Sequence, residues 1–192
     1  MQPLSIPTLV LGSAILLAAS TPLHAGEEHG HRQHAAHEHG SAKLLLAKEG
    51  TELHLEFSSP AMNLVGFEHM PANEQQGEQV RQAIDTLKAA NKIFLLPASA
   101  GCTLQKVTVE TGLSTAEDHS THAHHEALHE ADRHADFLVN YRFSCRDMSV
   151  LKQIDVQLFS YFPATRKIDI EMITDQGQRA FELDHNNSKL KL

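Results

Sequence analysis

Lys43-Leu44-Leu45-Leu46-Ala47 and Thr51-Glu52-Leu53-His54-Leu55-Glu56-Phe57, separated by a Glu49-Gly50 turn, decide the fold. Two β-forming runs joined by a tight glycine turn read as a hairpin. The second run alternates Leu53, Leu55 and Phe57 with Glu52, His54 and Glu56, so one face of the sheet is buried and the other is wet. The same alternation recurs in Thr103–Thr111 through Leu104, Val107 and Val109, and in Phe137–Phe143 through Phe137, Val139, Tyr141 and Phe143. Ile154–Phe159 reads as a further strand. Lys167–Ile173 and Arg179–Leu183 pair around Asp175-Gln176-Gly177, and Lys189–Leu192 reads as an edge strand guarded by lysine. A helix is expected over residues 73–91. Asn73 caps it, Gln76 completes a capping box, and Val80, Ile84 and Leu87 share a face. Between hairpin and helix, Ser59–His69 reads as irregular and apolar. The expected class is α+β: a single domain over residues 42–192, with an antiparallel sheet and one or two helices packed on one face.

Upstream of the hairpin the composition changes twice. Leu9–Ala19 is an apolar run ending in small residues, too short for a permanent span. Residues 1–25 therefore read as a signal peptide, with cleavage after Ala25 or, alternatively, Ser20. Residues 26–41 hold Gly, His, Glu, Gln and Ala without apolar periodicity and read as a disordered arm. No second membrane-spanning candidate follows in the mature chain. The net charge of −8 with histidine neutral argues against nucleic acid and anionic membranes as partners and suits a cation.

The chain holds 15 histidines, and eleven of them lie in two tracts. The first is His29, His31, His34, His37 and His39. The second, inside an insertion at about 113–135, is His119, His122, His124, His125, His129 and His134. Neutral imidazole is the commonest ligand for borderline-soft divalent ions near neutral pH. Interleaving with Glu, Ala and Gly, and the internal position of one tract, separate these stretches from a purification tag. His37-x-His39 puts two rings on one face of an extended chain directly before the first strand. His29, His31 and His34 belong to the floppy arm. Ser114-Thr115-Ala116-Glu117 resembles a capping box, and on a helix His122, His125 and His129 would share a face, with His119 and His124 beside them.

His125-Glu126-Ala127-Leu128-His129 matches the H-E-x-x-H pattern of zinc proteases. Its polar surroundings and the failed metzincin continuation, with Asp132 in the Gly place and Ala135 in the third-His place, make a zinc hydrolase the minority reading. His134 meets the start of a strand, and Asp136 could ligate or hold a ring N–H. His69, after Gly66-Phe67-Glu68, reads as either a core histidine or a ligand, whereas His54 and His185 read as surface residues. Cys102 and Cys145, the only cysteines, fit a disulfide joining the start of one strand to the end of another; two thiolate ligands are the alternative. A bond between them would close a loop around the whole second tract and fasten its stems.

Several of these stretches, in this order, resemble the ZrgA-like periplasmic zinc-binding family. They are Ala36-His37-Glu38-His39-Gly40, Ser59-Pro60-Ala61, Gly66-Phe67-Glu68-His69, His134-Ala135-Asp136-Phe137 through Tyr141-x-Phe143-x-Cys145, Leu158-Phe159 and Gly177-Gln178. The resemblance implies an exported protein of the Gram-negative periplasm that binds Zn2+ through histidines and works with a zinc ABC importer. It raises His69 and favours His37, His39 and His134 over the other tract histidines; the expected folded site uses these four, with Asp136, from its place beside His134, as an orienting or fourth group. The remaining tract histidines would gather ions. A metal buffer or resistance protein without an importer is the runner-up. An enzyme is not expected.

Overall fold

The computed structural model describes residues 38–113 and 135–192, all within one unit. The hairpin forms as expected. β1 (Ser41–Glu49) pairs with β2 (Glu52–Pro60), and the two-residue connection is Gly50-Thr51, with Gly50 at φ 55. β2 continues through Pro60 into a five-residue helix, α1 (Ala61–Val65), closed by Gly66 at φ 84. This short ordered element occupies the middle of the segment expected to be irregular, while residues 66–69 lie outside helix and strand as expected.

The capped helix is α2 (Glu74–Lys88). Asn73 accepts from the Gln76 N–H, and the Gln76 side chain accepts from the Ala72 N–H. α2 ends three residues earlier than expected, and α3 (Ala90–Ile93) and β3 (Phe94–Leu95) follow. β4 (Cys102–Thr111) and β5 (Asp136–Cys145) are antiparallel neighbours. A bulge between Leu104 and Lys106 accounts for the odd step from Leu104 to Val107 in the apolar pattern.

The strand expected over 154–159 is β6 (Gln153–Val156) only. Gln157 leaves the extended region at φ −93, ψ 4, and Leu158–Tyr161 turn into α4. Leu158 and Phe159 are both buried in succession, which a half-exposed strand cannot achieve. β7 (Lys167–Thr174), β8 (Gly177–Asp184) and β9 (Lys189–Lys191) complete the described elements.

Two sheets result: six strands in the order β4-β5-β2-β1-β7-β8, and three in the order β3-β6-β9. The large sheet corrects the expectation of an antiparallel one, because β1 and β7 run parallel. Both strands start from one anchor: the N–H groups of Arg166 and Lys167 donate to the Gly40 carbonyl at 2.7 and 3.0 Å, so β7 enters alongside β1 from the same end.

One face of this sheet is the core. Leu44, Leu46, Leu53, Leu55, Phe57, Phe137, Val139, Phe143, Ile168, Ile170 and Met172 are all buried there. α2 and the small sheet pack on it. The buried Tyr141 hydroxyl donates to the Leu87 carbonyl at 2.9 Å, and its ring meets Phe94 edge-on. Burial pushes the Tyr141 phenol well above its ordinary range. The opposite face carries Lys43, His54, Arg142, Lys106 and Glu171 in solvent.

Cys102 and Cys145 form the disulfide and face each other in register. They sit at the end of the β4–β5 ladder remote from Thr111 and Asp136. The bond therefore does not clamp the stems of the insertion, as a loop-closure reading suggests. It locks the hairpin roughly 30 Å away, the length of a ten-residue ladder. The stems are held instead by the last ladder pair, Thr111 with Phe137, and by the buried Leu113 and Ala135. The expected outcome for the Cys102→Ser, Cys145→Ser double variant is a loss of up to about 4 kcal/mol in chemical denaturation, from the loop entropy released to the unfolded chain. Zinc affinity of the folded variant should be unchanged.

Candidate metal site at one end of the large sheet

The strand directions bring distant parts of the sequence to one end of the sheet. β1, β5 and β7 start there, and β2, β4 and β8 finish there. Glu38-His39, the α1–His69 segment, Leu113, Ala135-Asp136 and Arg166 follow or precede those strand ends directly. Both histidine tracts join the described fold at this end, one at Glu38 and the other through Leu113 and Ala135.

Asn63, on α1, ties the segments together. It is 3% exposed. Its Oδ1 accepts from the Gly40 N–H at 2.6 Å, and its Nδ2 donates to the Ser41 carbonyl at 2.8 Å and to Ser59 Oγ at 3.1 Å. The entry to β1, the end of β2 and α1 are thus bonded through one amide. The Ala61 N–H donates to the Ala135 carbonyl at 2.9 Å, which adds the start of β5. Arg166 closes the other side by donating from Nη2 to the His39 carbonyl at 2.8 Å. Gly40, at φ 88, is required here. A Cβ would collide with the Arg166 guanidinium, and the backbone conformation disfavours other residues.

His39 lies on this braced backbone with a half-exposed ring, its Nε2 3.2 Å from Glu68 Oε1. The Glu68 side chain is only 10% exposed. It follows Phe67, whose buried ring anchors the segment and stacks on His69 at 5.1 Å. The exposed His69 ring has its Nδ1 2.9 Å from the Met70 carbonyl. A carbonyl only accepts, so in the neutral ring this contact selects the tautomer with the proton on Nδ1 and the Nε2 lone pair open to a metal. Asp136 heads β5 opposite Pro60. Lys167 bonds Glu38 at 3.3 Å. That contact first, and then Asp169, hold its ammonium above the ordinary lysine range.

Of the expected ligands, His39, His69 and Asp136 are therefore placed at one end of the sheet. His37 and His134 lie outside the described residues. So do His29, His31, His34, His119, His122, His124, His125 and His129, the H-E-x-x-H stretch and the proposed signal peptide. Among the described residues, no three His, Cys, Asp or Glu side chains form a group able to hold a metal ion. His54 and His185 are exposed, as expected, and His185 lies against Phe159. Glu68 went unmarked in the sequence because it belongs to no spacing motif. Its signals were its adjacency to His69 and its place in the Gly66-Phe67-Glu68-His69 stretch.

The model of the ZrgA family of zinc uptake proteins matches residues 36–192. The chain belongs to that family. The match begins one residue before His37 and takes in every described element, so the braced sheet end lies within it. No curated protein matches the chain. Among the described residues no helix is long and apolar enough to cross a membrane. Imidazole and carboxylate donors at the sheet end fit zinc, the cargo the family name states.

Asn63→Ala should cost about 1–3 kcal/mol in urea denaturation, because it leaves the Gly40 N–H and Ser41 carbonyl without their buried partner. It should also weaken the tightest zinc site by releasing His39. An unchanged stability would show that the amide is not the brace.

Proposed function

We propose that this protein is an exported periplasmic zinc carrier that captures Zn2+ at the braced sheet end and delivers it to a zinc ABC importer. It acts without catalysing a reaction. The observation that carries this reading is the gathering of His39, His69, Asp136 and the attachment points of both histidine tracts at one end of one sheet. His37, His39, His69 and His134 form the anchored site, with Asp136 as an orienting or fourth group. The other tract histidines collect ions and raise their local concentration around it. Ligands on a braced backbone lose less freedom on binding, so the anchored site is the tight one.

Replacement of His37, His39, His69 and His134 by Ala should abolish the tightest zinc site and leave weak binding. Replacement of His29, His31, His122 and His124 should lower the number of ions bound and spare the tight site. Competition against a chelator of known affinity measures both. The opposite pattern would make the tracts the principal sites. Delivery is tested by mixing the zinc-loaded protein with the importer's metal-free solute-binding component and following transfer. Transfer no faster than spontaneous release would favour a buffer.

Zinc affinity should fall steeply from pH 7 to about 5.5, since imidazole in model peptides holds its proton below about 6.5 and must lose it to coordinate. Calorimetric titration across that range reads it. A flat profile would contradict a histidine site.

A further inference from the structure

We propose that the solvent face of the large sheet binds a small amphiphilic carboxylate. Its head sits on Lys106, Arg142 and His54, and its apolar part lies over Ala47, Leu45 and Ile173. The proposal does not depend on the zinc reading.

The first observation is a row of basic side chains. Lys106 on β4 is the cross-strand partner of Arg142 on β5, and Arg142 is the partner of His54 on β2. Side chains directly opposite on one face stand about 5 Å apart, and like charges so placed destabilise a sheet. Among the described residues no carboxylate pairs with Lys106, Arg142 or His54, although the whole chain carries a net charge of −8. A bound anion removes the repulsion between Lys106 and Arg142. The central guanidinium grips a carboxylate through two parallel N–H bonds, with an ammonium on one side and an imidazole on the other.

The second is the bulge in β4. Leu104 pairs with Phe143 on the core side, and unbroken alternation would send Lys106 to that side too. The extra residue, Gln105, shifts the register, so that Lys106 comes opposite Arg142 on the open face. Bulges re-aim side chains in this way beside functional sites.

The third is the shape and chemistry around the row. A cleft of about 400 Å³ lies over it, within the roughly 300–1,000 Å³ of small-molecule pockets. In the next row Thr108 and Asn140 add a hydroxyl and an amide donor, while Glu56, opposite Asn140, repels an anion. The head is thereby confined to the basic row. Across β1 that row turns apolar: Ala47 is the partner of His54, and Ile173 on β7, 58% exposed, is the partner of Ala47. Leu45, 39% exposed, lies beside them. From Arg142 to Ala47 is two strand spacings, about 10 Å, the length of a chain of about eight carbons. Arg142 stands six residues beyond Asp136 on β5, roughly 20 Å from the sheet end that carries His39.

The test is calorimetric titration of the metal-free protein with octanoate, run beside acetate, inorganic phosphate and 1-octanol. Octanoate should bind saturably at one per chain. Acetate and phosphate, which lack the tail, and 1-octanol, which lacks the charge, should each bind at least about tenfold more weakly. Arg142→Gln and Lys106→Gln should each weaken octanoate at least about tenfold, without lowering the unfolding midpoint, since each removes a like-charged neighbour. Octanoate that does not saturate, or that binds both variants as it binds the parent, would overturn the proposal. An equal affinity for 1-octanol would reduce the site to an apolar patch, and an equal affinity for acetate or phosphate would reduce it to a bare anion site; either overturns the amphiphile. A lowered midpoint in both variants would make the row structural and overturn it as well.

Discussion

The side-chain amide of Asn63 is the constraint on which the candidate site depends. A buried amide without partners would cost several kcal/mol. Here it accepts from Gly40 and donates to Ser41 and Ser59, so the start of β1, the end of β2 and α1 become one unit. The Gly40 carbonyl, left on the other side, accepts from both Arg166 and Lys167 and thereby starts β7 parallel to β1. The mixed topology of the large sheet and the placement of His39 thus have a common origin.

The rest of the molecule supports this end from the core side. The apolar face of the large sheet is closed by α2 and the small sheet. The Tyr141 hydroxyl gives the Leu87 carbonyl at the end of α2 its partner inside that core. The disulfide stabilises the opposite end of the β4–β5 ladder. This division suits a metal carrier. The scaffold is fixed by hydrophobic burial and a covalent link, and the backbone of the ligand-bearing end is held by a few polar contacts centred on Asn63.

What could be read in the sequence was whatever has a short period or a local chemistry. The alternation of Leu53, Leu55 and Phe57, the Asn73-to-Gln76 cap and the glycine turns each express their structure within a few residues, and each is present. Strand partnership across the chain has no such signature. Nothing local to Ser41–Glu49 says that Lys167–Thr174 will lie beside it in parallel, because that pairing is set by hydrogen bonds to Gly40. α1 is too short to show a helical period, so Asn63 looked like one polar residue in an apolar loop. Histidines declared themselves by their number and spacing. Glu68 did not, since its importance comes from a contact with a residue twenty-nine positions away.

Hydrogen–deuterium exchange with and without one equivalent of zinc tests most directly whether the metal is held at this end of the sheet. The account predicts new protection in residues 38–41, 61–69 and 135–137 together, with β6 and β9 unchanged. Protection confined to residues 119–129, or none in the first three segments, would contradict it.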